Sequence, residues 1–220
     1  MRIGVISDTH DLLRQEVKET LATCQMILHA GDISSRTILN ELREIVPDVY
    51  VVRGNADEAW GMDLPVFLDI TVSGLHIFMT HRKKDLPADL SGYDLVLYGH
   101  SHKYDDHISG TTQILNPGSC GPRRFVQPVT MALIETGDNG ISVRRIDLPH
   151  SKKEAGSIQK QGIDMKSLVL KVMKETDKGH SIEQIAERTG VEKSLIEQIV
   201  RLYLTHPGVT ADGILSKMGL

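Results

Sequence analysis

The chain has 220 residues, 40% of them hydrophobic, 25% charged and 4% aromatic, with a formal net charge of −4. That length suffices for one full domain with a buried core plus a smaller appendage, and the composition excludes collagen-like, disordered and coiled-coil classes. No apolar run approaches the roughly 20 residues of a membrane span, and two cysteines, Cys24 and Cys120, make neither a disulfide framework nor a thiolate zinc site.

The N-terminal segment MRIGVISDTH places Asp8 and His10 directly after a short apolar stretch. It is unlike a signal peptide, and the simplest compartment is the cytoplasm. Residues 2–7, 26–30 and 48–53 read as short buried strands, separated by helical stretches at 13–23 and 35–44. Ser34-Ser35 supplies an N-cap for the second helix. This strand–helix–strand–helix–strand order argues for a mostly parallel sheet covered by helices. From residue 69 onward the strands 69–72, 76–80, 94–98, 112–115, 130–135 and 141–147 follow one another with little helix, and suit a second sheet. The expected fold class is α/β, a two-sheet α/β sandwich over residues 1–148, followed by a small all-helical module. Residues 149–163 are polar and Lys-rich and read as a linker. In 164–220, the stretches 165–175, 181–188 and 192–204 carry apolar residues at helical spacing, with breaks at Gly179 and Gly190.

Ten histidines are the unusual entry in the composition. Metal-binding side chains recur in order just after predicted strands: Asp8 and His10 in SDTH, Asp32 in AGD, Asn55 in RGN, His81 in MTH, then His100 and His102 in GHSH. Open α/β sheets place ligands at the carboxyl ends of parallel strands. Residues i and i+2 of an extended segment face the same way, so each D-x-H or H-x-H pair can reach one centre. Two carboxylates, one amide and four imidazoles, without sulfur, favour Mn, Fe, Zn or Ni over a calcium cage. Seven ligands are too many for one such ion and suit two that share a carboxylate. Two divalent ions and two aspartates leave a charge of about +2, which attracts and polarises a phosphate in two-metal phosphoester hydrolysis.

SDTH, AGD, VRGNAD, MTH and GHSH, followed by LNPGS, resemble the motif series of the calcineurin-like metallophosphoesterases, in particular the small bacterial and archaeal phosphodiesterases. The resemblance covers roughly residues 1–148. It implies that Asp8, His10, Asp32 and His102 hold one metal and that Asp32, Asn55, His81 and His100 hold the other, with Asp32 bridging. It implies two divalent cations, manganese first, with Ni, Fe or Zn as alternatives. A metal-bridging hydroxide would attack phosphorus in line, making Asp32 and Asn55 part of the catalytic machinery. Many relatives have a histidine after the asparagine to protonate the leaving group, where this chain has Ala56 and then Asp57. Either good leaving groups such as aryl phosphodiesters are favoured, or Asp57 or another group substitutes as the acid. Asn55, Arg82 and Arg124 are candidate substrate contacts, and the expected partner is a small phosphodiester or other phosphoester. His29 reads as a core or supporting histidine, NPGS as a structural turn near the site, and Trp60 as buried under the rim.

Residues 181–202 resemble a helix-turn-helix, with Ile185, Ala186, Gly190, Val191, Ile196 and Ile199 at its apolar or small positions. The charges of the second helix cancel, which weakens a nucleic-acid reading, since DNA affinity rests on neutralising phosphates. Oligomerisation, partner docking or a cap over the active site are the other roles for this module. A transcriptional regulator or partner-binding protein, with the metal domain as sensor or scaffold, is the rival to the enzyme.

Overall fold

The computed structural model describes residues 1–122, 127–137, 140–149, 164–191 and 193–218. Arg124 and residues 150–163 of the expected linker lie outside the described residues. The chain divides into two compact units, Met1–His150 and Ser151–Leu220.

The first unit is the expected two-sheet sandwich. β1 (Arg2–Ile6), β2 (Met26–His29) and β3 (Val49–Val51) run parallel, joined by α1 (Gln15–Leu21) and α2 (Arg36–Ile45). The second sheet has the order β4-β5-β6-β8-β7, with β4 (Phe67–Val72), β5 (Leu75–Thr80), β6 (Leu95–Leu97), β7 (Tyr104–Ser109) and β8 (Thr112–Pro117). Within it β5, β6 and β8 are parallel neighbours.

Two elements depart from the sequence expectation. β9 (Thr130–Gly137) and β10 (Gly140–Asp147) join the first sheet, in the order β10-β9-β1-β2-β3, rather than the second. The reason is packing: β9 runs antiparallel to β1, and its Ala132 and Ile134 share the inter-sheet core with Ile3 and Val5 of β1. β7 reads YDDHIS, too polar for a strand pattern. It forms because it sits at an edge, pairing only with β8 and leaving Asp106–Ser109 exposed.

Alternation with period two sorts the strand residues between layers. Ile3, Val5, Met26 and Leu28 face Ile77, Met79, Leu95 and Leu97 between the sheets, while Ile6 and Ile27 face Val17, Leu21, Leu39 and Leu42 of the helices. Each fully buried aliphatic side chain contributes roughly 1.5–3 kcal/mol. α2 starts where expected, the Ser35 hydroxyl accepting from the Ile38 N–H at 3.4 Å.

The second unit contains α3 (Met165–Asp177), α4 (Ile182–Thr189), α5 (Lys193–Thr205) and α6 (Ala211–Met218), the last not foreseen from sequence. Ser181 forms a capping box with Gln184, and Gly190 ends α4 in the left-handed region (φ 67°), where glycine has no Cβ penalty. Leu168, Val172, Ile185, Ile196, Ile199 and Ile214 are buried in its core. No described helix is long and apolar enough to cross a membrane.

Buried Glu175 is the polar hub of this unit, bonded to Lys178 at 2.6 Å and Arg188 at 2.9 Å, with His180 Nδ1 2.9 Å away. The Lys178 hydrogen bond, with Arg188 and the charges around it, holds the Glu175 carboxyl down at about 2, against an ordinary 4.5. A folded pKa below the unfolded one stabilises above the unfolded value and loses that stabilisation as pH falls toward the folded one. Amide-exchange protection factors along α3 are therefore expected to fall between about pH 4.5 and pH 2, and Glu175→Gln to flatten that slope. A Glu175→Gln chain with the same slope would reassign it to other carboxylates.

Candidate metal centre

Each expected ligand sits at the carboxyl end of a strand or just beyond. Asp8 and His10 follow β1, Asp32 follows β2, Asn55 follows β3, His81 follows β5, and His100 and His102 follow β6. The structure brings all seven together. Asp8 Oδ1 lies 3.2 Å from His102 Nε2 and 3.8 Å from His10 Nε2, and the two imidazole nitrogens are 3.3 Å apart. Asp32 Oδ1 lies 3.4 Å from His81 Nε2, which is 3.2 Å from Asn55 Oδ1 and 3.2 Å from His100 Nδ1. The other oxygen of Asp32 is 3.8 Å from His10 Nε2, so this one carboxylate faces both groups. Asp8, His10 and His102 form one metal-sized group of donors, and Asp32, His81 and His100 another.

The donor set fits cations. Ions that bond nitrogen or oxygen at about 2.0–2.2 Å hold adjacent ligand atoms about 3 to 3.5 Å apart, the spacing most of these atoms show. Asp8 Oδ1 and His102 Nδ1 are buried with no hydrogen-bond partner, a cost that a bound ion at the carboxylate would offset. The supporting bonds aim free lone pairs inward. His81 Nδ1 donates to the Ala30 carbonyl at 2.7 Å, which leaves Nε2 unprotonated toward the centre in the neutral ring. Asp8 Oδ2 accepts from the Ser7 hydroxyl at 2.6 Å and the His100 N–H at 3.1 Å, leaving Oδ1 for the site.

Backbone strain marks the same loops. Asp8, His10, Asp32, His100 and His102 all have φ between 43° and 68°, a left-handed conformation that costs non-glycine residues on the order of 1 kcal/mol or more each. Close packing holds them there. A Cβ at Gly31 (φ +93°) would sit 2.7 Å from His81 Nδ1, and one at Gly54 would overlap the Asp32 carboxylate.

The electrostatics favour positive charge at the site, a proton on His81 included. Burial raises the Asp8 carboxyl, but the close approach of His102 at 3.2 Å and the charges of His102 and His81 outweigh it and hold it far below the carboxylate range. Asp32 is likewise raised by burial and lowered more by His81 and the Ala56 N–H. Burial lowers His81, yet Asp32 and Asp8 raise it further. Cations displace such protons, so metal affinity falls in acid.

His29 is buried, and burial pushes it down to about 4, so it is neutral. Its Nδ1 accepts from the Gly31 N–H at 3.1 Å and its Nε2 donates to Thr9 Oγ1 at 3.1 Å, tying the Asp8 loop to the Asp32 loop. The NPGS turn also supports the site. Asn116 donates to the Gly99 carbonyl at 2.9 Å, and the Ser119 hydroxyl donates to the Asp8 carbonyl at 2.9 Å, so Ser119 is engaged with backbone. Trp60 is half-buried against the core beneath α1 and α2.

Asp57 does not face the donor cluster. It is fully buried, and its carboxylate accepts four backbone N–H groups: Asp32 at 2.9 Å, Ile33 at 2.9 Å, Ser34 at 2.7 Å and Gly54 at 2.8 Å. A carboxyl so occupied has no route to a leaving group, and its geometry is that of a clamp on the Asp32 loop. Arg82 is exposed and paired with Asp85 at 3.0 Å.

Residues 1–139 match the model of the calcineurin-like phosphoesterase superfamily domain. The chain belongs to the calcineurin-like phosphoesterase superfamily. A probable metallophosphoesterase of Methanothermobacter thermautotrophicus is 30% identical over 152 residues, which span 63% of this chain and 88% of that protein. A phosphodiesterase of Methanocaldococcus jannaschii is 26% identical over 141 residues, 54% of this chain and 84% of the relative. Among solved structures, an archaeal phosphodiesterase superposes with a TM-score of 0.57 at 24% identity, covering 67% of this chain and all of that one, a likeness of fold. Membership of this phosphoesterase superfamily makes the chain a hydrolase of phosphoesters and implies divalent metal ions.

Proposed function

We propose that this phosphoesterase is a phosphodiesterase acting through two divalent ions. Asp8, His10 and His102 would hold one ion, Asn55, His81 and His100 the other, and Asp32 both. The observation that carries this reading is the Asp32 carboxylate, whose two oxygens face His10 and His81 in separate donor groups. When bound, two such ions would supply an activated water as nucleophile and Lewis acidity at the phosphoryl oxygens. The chain's own residues set the frame: Ser7 and the His100 amide aim Asp8, the Ala56 amide holds Asp32, and the Ala30 carbonyl fixes the His81 tautomer. Ala56 offers no proton, and the likeness to the Methanocaldococcus phosphodiesterase supports a diester substrate.

The test is to strip the metal, restore Mn, Ni, Zn or Fe(II) separately, and assay bis(p-nitrophenyl) phosphate beside p-nitrophenyl phosphate. Metal-dependent turnover is expected, highest with Mn and at least about tenfold faster on the diester. Two ions bound with no turnover on either ester, or a preference for the monoester, would sink this assignment.

A further inference from the structure

A small cleft of about 70 Å³ opens beside the metal centre, lined by Arg53, Asn55, Thr80, His81 and Arg82. That volume holds a few waters or one tetrahedral oxyanion. Arg53 lies just beyond β3, two residues before Asn55, and its backbone is pinned by donation to the Pro65 carbonyl at 2.7 Å. The residue is partly buried with its guanidinium exposed, and Nη1 reaches only the Met62 carbonyl at 3.4 Å and the Met62 sulfur at 3.2 Å. Among the described residues no carboxylate pairs with it. The other charges of the cleft are spoken for or displaced: Asp85 is bound by Arg82 at 3.0 Å, and Glu58 is exposed. A guanidinium with most of its donors unused, beside the proposed phosphate-polarising centre, matches the fork geometry by which arginine takes phosphate. Met62 and Val66, 69% and 51% exposed, flank it with apolar surface that the organic part of a substrate can cover.

We propose that Arg53 is a specificity-determining residue that binds a second phosphate of the substrate, so that the preferred substrates are phosphodiesters carrying a further phosphate near the scissile one. This rests on the phosphodiesterase reading. It is tested on products, which a diesterase does not consume. Thymidine 5′-monophosphate and thymidine 3′,5′-bisphosphate are titrated calorimetrically into the Mn-loaded full chain.

The bisphosphate is expected to bind at least about tenfold tighter than the monophosphate. Arg53→Gln should shrink that ratio to about twofold, with Arg53→Lys in between and metal content at the level of the unaltered chain. A ratio below about threefold in the unaltered chain, or one that survives Arg53→Gln, overturns the proposal. A chain that turns over no aryl diester yet keeps an Arg53-dependent ratio loses the phosphodiesterase reading and retains the anion subsite.

Discussion

Replacing Asp32 by asparagine is expected to lower metal-dependent diester turnover about 10³-fold and to cut bound metal from two ions per chain toward one. Asparagine keeps the shape, and its oxygen can still accept the Ala56 N–H at 2.7 Å. What it loses is the charge, and with it the one side chain among the described residues whose two oxygens face both donor groups. The carboxylate of the first group, Asp8, has one oxygen committed to Ser7 and the His100 amide and cannot take over. Metal ions in such sites supply several kcal/mol of transition-state charge stabilisation. At 1.36 kcal/mol per factor of ten, a loss of about 4 kcal/mol is about 10³ in rate. Atomic absorption at fixed free Mn and single-substrate kinetics read the two effects separately. A variant that binds two ions and keeps a tenth of the turnover removes Asp32 from the shared position.

Local signals in the chain account for most of the site. Aliphatic runs such as RIGVI and MILH announce strands, and the ligand residues just beyond them announce a centre. The i, i+2 rule for extended backbone does not place them: Asp8, His10, His100 and His102 are all left-handed, and His100 and His102 fall in different donor groups. What stayed illegible depends on partners far away in sequence. β9 could not be assigned to the first sheet without knowing that Ala132 and Ile134 face the same core as Ile3 and Val5. β7 hides because an edge strand buries little and need not alternate. Arg53 reads as the polar end of a strand, and only the fold sets its guanidinium beside Asn55 and Arg82. Asp57 reads as a spare acid beside the ligand asparagine, and three of its four donors come from residues 32–34.

That rearrangement of Asp57 gives the second large effect. Asp57→Ala is expected to destabilise the first unit by roughly 3–5 kcal/mol, since removing a buried carboxylate strands four N–H groups that each cost about 1–3 kcal/mol when wholly unsatisfied. At about 2–4 °C per kcal/mol for a domain of this size, the melting temperature should fall by about 6–20 °C. Asp57→Asn should lie between, because its amide accepts on one side only. Turnover should fall equally for aryl and alkyl diesters, through a looser Asp32 loop. A general acid leaves a different record: little change in melting, a loss confined to poor alkoxide leaving groups, and a missing alkaline limb in the pH profile. Melting curves and the two substrates measured on the same variant separate these. If Asp57→Asn melts like the unaltered chain and fails only on the alkyl diester, the proton donor is Asp57 after all. The four N–H hydrogen bonds argue for the other result, because, although burial raises the Asp57 carboxyl, they occupy both its oxygens and leave none free to carry a proton to a leaving group.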